Sequence, residues 1–388
     1  MRCMTLGERL SHALLILMIS LGLSGPLWAG KQHSPPEKPT APIGVCLPLS
    51  DKESTGQVQS QAILIAHRIR PMAGDKAVEL IIKDTLGTSG GARNAVRTAL
   101  KDHDIAAFIG GATPKEAAAM LDVMDQDRRF RVHPTPVVLT SAGAPLTDTP
   151  NQPWRISASL GDKARGAAVF AVGKLKAKRA GILVDPGDAE GVRLASMFSS
   201  ALIAQGGVVA EIAYLGKSES ACRTALTVLA NKRVEVIFLP DAGRAPQIIL
   251  YSRAHGVKTP FLLADVRREG DFIKAVGASD GVYLVTDYHP AHVVGDHARR
   301  FLELYRTAYG EPDAIAALSA DAYFLLCDTL PCWRAGKGRN PRSLSNTCTG
   351  NGYLSGKMDI APTGTVVRNV YVCVIHASRL KCLEAIRP

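Results

Sequence analysis

The feature that most constrains this chain is a stretch from Ile43 to Tyr288 in which short apolar runs alternate with helical segments. Strand and helix in alternation build a parallel sheet covered by helices on both faces. Residues 43–49, 77–84, 105–109 and 136–140 read as strands, with helices at 56–70, 91–101 and 114–127 between them. Pro71 ends the first of these helices and Pro114 opens the third. That is one doubly wound lobe. The pattern then repeats: helices at 162–177, 190–205, 221–231 and 243–255 separate strands at 179–184, 208–214, 234–239, 260–263 and 281–286. Turn signals such as Asp185-Pro186-Gly187 and Gly206-Gly207 punctuate this second lobe. Helices near 296–309 and 314–330 are expected to return to the first lobe, and a hairpin at 370–386 to finish the second. The expected fold class is α/β, two doubly wound parallel-sheet lobes joined by a multi-strand hinge. In such sheets the strand C-termini meet helix N-termini at one edge, where free N–H groups and positive helix ends collect. Two such edges facing each other form a ligand cleft that can close by hinge bending.

Residues 1–29 read as a secretory signal. Arg2 and Arg9 supply its basic start, 13–23 its apolar run, and Leu27-Trp28-Ala29 a cleavage site. The apolar run falls short of the ~20 residues that a membrane span needs; an uncleaved anchor is the alternative reading. No Cys follows the run, which argues against a lipid anchor. Residues 30–42 are Pro-rich and polar and read as a linker. The expected domains are then 43–157 with 287–350 as the first lobe, and 158–286 with 351–388 as the second.

The formal charge is +11, and removing the signal's two arginines and one glutamate leaves +10. A basic balance favours an anionic ligand or acidic partner, or else is only a solvated basic surface. The lysines and arginines are scattered without interleaved aromatics, so nucleic acid is not an expected partner. Seven of the eight cysteines lie beyond the signal, where export to an oxidising compartment makes pairing expected. Cys373 and Cys382 flank a turn at 376–379 and would face each other across a hairpin, within disulfide reach. Cys332 and Cys348 bracket a polar loop and are a second candidate pair, for either of which Cys327 could compete. Cys46 falls in the first strand and reads as a buried thiol.

The order and spacing of several segments resemble a family. IGVCLPLS with Gly56 beyond it, AAFIGG before a helix, VVLTSAGAPLT, GDKARGAAVFAVGKLKAKRAGILVD, GGVVAEIAYLGKSESACRTALTVLANKRVEVIFL, GVKTPFLLAD and GKMDIAPTGTVVRNVYVCVI occur in sequence. Together they resemble the type I periplasmic binding proteins, in particular the branched-chain amino acid receptors of ABC importers. The resemblance spans nearly the whole chain beyond the signal. It implies a periplasmic, monomeric solute receptor with no cofactor and an inner-membrane ABC permease as partner. It also implies a pocket in which first-lobe loops hold the ligand's carboxylate and ammonium. The matching loops here are Gly111 to Lys115 and Ser141 to Ala144. Ala142 fits the pattern, Gly143 stands where a Thr is usual, and Thr113 could supply a hydroxyl. Lys115 either holds a carboxylate or is a solvated first-turn lysine. On the second lobe the family's Tyr-Gly position reads Asp188-Ala189, and a further aromatic position reads Asp241-Ala242. Thr55 stands at another position where an aromatic is common, while the acidic residue that pairs with the ammonium is kept as Asp265.

The aromatic wall is therefore missing and an acidic rim replaces it. An apolar side chain would gain little by burial against carboxylates. A polar or cationic amine fits Asp188, Asp241 and Asp265 better, unless some of these are helix caps. No nucleophile elbow and no Ser/His/Asp set is placed by motif, so the chain does not read as an enzyme. His289, His292, Asp296 and His297 cluster after a strand, but the HxxH spacing falls in a Pro-containing loop and not on one helical face, so no metal site is expected there. The chain reads as a receptor for a small amine-containing solute. The alternative is a sensory or partner-binding module on the same fold with a changed pocket.

Overall fold

The computed structural model describes residues 39–51, 55–132, 135–141, 153–216, 218–240, 242–266, 268–333, 352–360 and 366–387. The expected signal and linker, up to residue 38, lie outside them.

The chain opens with β1 (Thr40–Leu47), α1 (Gly56–Ile69), β2 (Met72–Ala73), β3 (Lys76–Asp84), α2 (Ser89–Asp102), β4 (Ala107–Gly110), α3 (Pro114–Gln126), α4 (Arg128–Val132), β5 (Val137–Leu139) and β6 (Trp154–Arg155). These strands form a six-stranded sheet in the order β2-β3-β1-β4-β5-β6. All its pairings are parallel except that of β2 with β3. The chain continues through α5 (Leu160–Gly173), β7 (Arg179–Val184), α6 (Ala189–Ala204), β8 (Val208–Tyr214), α7 (Glu219–Asn231), β9 (Val236–Phe238), α8 (Ala245–Ala254), β10 (Phe261–Ala264), α9 (Glu269–Val276) and β11 (Val282–Thr286). After these come α10 (Asp296–Tyr309), α11 (Ala314–Cys332), β12 (Met358–Ile360), β13 (Val366–Arg368), β14 (Val370–His376) and β15 (Arg379–Ile386). The second sheet runs β15-β14-β11-β10-β9-β7-β8, its last two strands in sequence joining antiparallel.

Each sheet is apolar on both faces because each strand alternates between two cores. Ile43, Val45 and Leu47 face α1, α10 and α11, while Cys46 faces α2 and α3. Val236 and Phe238 face α5 and α6, and Ile237 faces the α7, α8 and α9 side. This is why the strands read as near-continuous apolar runs. Gly44 is required for close packing, since a Cβ there would sit 2.4 Å from the Phe108 ring. Helix α11 is buried along almost its whole length, which explains its apolar composition. Its one buried acid, Asp321, accepts hydrogen bonds from the backbone N–H of Leu354 (2.7 Å) and Ser355 (3.0 Å), fixing a returning segment.

The chain passes between the two sheets after β6, after β11 and again before β14. A single buried guanidinium ties these passages together. Arg368 donates to the carbonyl of Ile156 and to that of Asp287, each at 2.7 Å. The Asp287 carboxylate in turn accepts from the Ala158 N–H at 2.8 Å.

The hairpin of β14 and β15 places Cys373 directly opposite Cys382, as expected from the sequence. The expected bridge between them is not formed, and both are free thiols. A bulge lies beside this pair, where Val372 faces Glu384 and Cys373 faces Cys382 so that Leu383 is skipped. Cys46 is a buried free thiol, pushed up to about 12 by burial. Cys327 is also free, and Cys332 is disulfide-bonded, while its candidate partner Cys348 lies outside the described residues.

Arg368→Ala removes both carbonyl contacts and leaves Asp287 short of a cation. It is expected to lower unfolding stability by about 3–5 kcal/mol in urea denaturation.

Candidate functional site

The capped start of α5 explains how a lysine comes to lie in the interior. Ser159 accepts from the Asp162 N–H at 3.0 Å, and the Asp162 carboxylate accepts in return from the Ser159 N–H at 3.4 Å, a capping box. From that start, Leu160, Lys163, Ala164, Ala167 and Ala171 fall on the buried face. The Lys163 ammonium donates to Asp265 Oδ1 at 2.7 Å and meets Asp287 Oδ2 at 2.8 Å. Burial acts to depress its pKa, and the two carboxylates more than reverse this, so it stays charged well above the usual lysine range. Burial likewise pushes Asp287 up, but Lys163 and Arg368 prevail and hold it below the usual carboxylate range. Asp265 follows β10 with φ of 70°. This left-handed conformation costs a non-glycine residue about 1 kcal/mol, and Asp is among those that tolerate it best.

These charges face a cavity of about 60 Å³ between the two sheets' loop edges. Thr55, Gln59, Ala112, Thr140, Ser141 and Ser157 line one side, Lys163, Asp265, Val266 and Asp287 another, and Ser319 of α11 a third. Gln59 Oε1, Ser141 Oγ and Ser157 Oγ are buried with no hydrogen-bond partner among the described residues. Buried polar atoms are normally paired, so three around one cavity leave it a polar lining. Asp265 and Val266 also line a wider pocket of about 590 Å³ on the second sheet's loop edge, with Asp188, Glu190, Arg268 and Asp271 among apolar residues such as Leu160, Leu194 and Phe272.

Of the residues picked from sequence, the structure brings Thr55 and Asp265 to the small cavity, and Asp188 and Asp265 to the wider pocket. Asp188 is also the N-cap of α6, accepting from the Glu190 N–H at 3.2 Å. Thr113 caps α3, donates to Glu116 Oε2 at 2.9 Å and lines neither cavity. Lys115 is exposed in the first turn of that helix. Ala142, Gly143 and Asp241 lie outside the described residues. Lys163, Asp287, Gln59 and Ser157 were missed. For Lys163 a signal existed: its spacing from Leu160, Ala164 and Ala167 puts a cation on the apolar face of α5.

Glu269, the first residue of α9, is buried and accepts from the Ala314 N–H at the start of α11 at 3.4 Å. Burial pushes its carboxyl up to about 8, against a hydrogen bond from Thr286 that lowers it. A carboxyl raised in the folded state contributes stability below its unfolded value, and loses it as pH rises toward 8. Unfolding stability is therefore expected to fall between pH 5 and pH 8, and Glu269→Gln to make it at least about 1 kcal/mol less pH-dependent across that interval, measured by urea denaturation.

The sequence matches the family model described as periplasmic binding protein over residues 61–375. No curated protein gives a significant match. Among solved structures, the leucine-binding protein LivK of Thermotoga maritima is 24% identical, with a TM-score of 0.73 over 90% of this chain and 99% of its own. LivJ of Streptococcus pneumoniae, a branched-chain amino acid binding protein in complex with isoleucine, is 18% identical, with a TM-score of 0.70 over 90% of this chain and 100% of its own. A solute-binding protein of R. palustris in complex with 4-hydroxybenzoate is 17% identical, with a TM-score of 0.69 over 90% and 98% of the two chains. These likenesses are of fold, and they agree with the two-sheet architecture and with the resemblance legible in the sequence. With the family model covering most of its length, the chain belongs to the periplasmic binding protein family.

Proposed function

We propose that this protein is the solute receptor of an ABC importer, exported by cleavage after Ala29, and that it binds an amino-acid-like zwitterion between its lobes. The observation that carries this reading is a fixed cation beside a fixed anion, Lys163 against Asp265, at a cavity rimmed by three orphaned polar atoms. A zwitterion presents the complementary pair. Its carboxylate suits the hydroxyl side formed by Thr140 and Ser141, with Lys163 behind it. Its ammonium suits the Asp265 carboxylate. Isoleucine and 4-hydroxybenzoate, bound by two structural neighbours, share a carboxylate. Entry of such a guest would part the lobes, with 43–157 and 287–350 moving against 158–286 and 351–388. Acidic Asp188 in the wider pocket, where Asp271 is paired with Arg268 at 2.6 Å, favours a polar or amine-bearing side chain over a branched aliphatic one. The protein would act as a monomer that presents its closed form to the permease.

A second reading keeps the fold without transport. It is favoured by Lys163 itself, which already stands where a ligand ammonium would pair with Asp265. In that case the protein would be a sensory or partner-binding module with a self-satisfied pocket.

A thermal-shift screen of refolded protein against amino acids, polyamines, amides and small carboxylates separates the two. A solute at a hundred times its dissociation constant is expected to stabilise the fold by about 2.7 kcal/mol. Asp265→Asn, which keeps the backbone conformation and removes the charge, is expected to cut affinity for the amine-bearing hit at least about tenfold in titration calorimetry. A flat screen on folded protein would favour the second reading, and undiminished affinity would remove Asp265 from the site.

A further inference from the structure

The turn that carries the chain away from β11 brings two imidazoles against the terminal hairpin. Residues Pro290–His292 form a 3-10 turn with His289 as its N-cap. His289 and His292 nonetheless come together, against the expectation from the Pro-containing spacing. Their ring centroids are 6.1 Å apart. Strand β15 delivers Cys382 between them, and one ligand atom from each of His289, His292 and Cys382 lies within 4.8 Å of the other two.

We infer that His289, His292 and Cys382 form a binding site for a borderline-soft transition-metal ion of the Zn²⁺ type, with the neighbouring Cys373 thiol or a water as fourth ligand. Metal–nitrogen bonds of about 2.0–2.1 Å and metal–sulfur bonds of about 2.3 Å put the ligand atoms of a tetrahedral site roughly 3.4–3.6 Å apart. Cys382 Sγ and His292 Nε2 are already 3.5 Å apart. The wider spacing to His289 would close with a ring rotation, since among the described residues its nitrogens make long contacts, 3.3 Å to the Ala291 N–H and 3.4 Å to the Leu380 carbonyl. His292 is held in place by stacking on Tyr371, centroids 4.7 Å apart, and the Tyr371 hydroxyl donates to the Ser355 carbonyl at 3.0 Å. Cys373 opposes Cys382 across the strands. One thiolate and two imidazoles select late first-row ions over Mg²⁺ or Ca²⁺. Binding releases the Cys382 thiol proton. His297 and Asp296 begin the next helix and take no part.

The site and a Cys373–Cys382 disulfide exclude each other, which makes the test decisive. Protein exported and purified without reductant is assayed for free thiols and titrated with Co²⁺ as the spectroscopic probe. The expected result is free Cys373 and Cys382, a thiolate-to-cobalt charge-transfer band saturating at one equivalent, and its loss when Zn²⁺ is added. Cys382→Ser and His292→Ala, each checked for folding by circular dichroism, are expected to lose the band, while Cys222→Ser keeps it. A Cys373–Cys382 disulfide in the exported protein, no band with both thiols free, or a band that survives in both variants would each overturn the inference.

Discussion

An ammonium taken out of water is tolerable only where carboxylates surround it, since burying an ion costs several kcal/mol that well-placed counter-charges must offset. Lys163 meets that condition through one carboxylate from the loop after β10 and another from the passage after β11. Asp287 is the shared element. It also accepts from the N–H of Ala158 in the passage after β6, and its carbonyl receives Arg368. The interior of the hinge is thus one connected polar network in which each charge justifies the burial of the next. Removing a member strands its neighbours, a far larger loss than the net worth of any single pair.

The same network sets where the cleft lies. Parallel strands deliver their C-terminal ends to one edge of each sheet, and the passages between sheets hold those edges face to face. Lys163 sits at the back of that meeting place, so the deepest part of the cleft is electrostatically fixed while the outer wall, from Asp188 to Phe272, is open and mixed. A fixed back and an open front suit recognition of a charged head group, with the remainder of a guest judged by the outer wall.

Much of the fold was legible in the sequence because apolar runs and helical spacing report burial directly. The alternation from β1 to β11 and the terminal hairpin came through with ends shifted by a few residues. The two-residue β2 and β6 and the eight-residue α9 did not, being too short for a period to develop. The site was harder. Asp265 was found through a resemblance, and it does meet the cavity, but the residue that neutralises it was read only as part of a helix. Thr113 and Lys115 were placed at the cleft by the same resemblance, and the structure gives the first to a helix cap and leaves the second exposed. Asp287 carried no local signal at all, because its role depends on Lys163 and Arg368, distant in sequence. Cys382 and His292 illustrate the same point, since their approach exists only once the hairpin folds back on the turn.

The left-handed backbone at Asp265 has a consequence for how this family member can change over time. Few residues occupy that region without strain, and beside Asp the easy ones are Asn and Gly. Both are a single base change from Asp codons, and both discard the charge while leaving the loop's path intact. Drift at this position is therefore channelled: the backbone preserves the path of the loop, while the carboxylate that faces Lys163 can be lost in one mutational step.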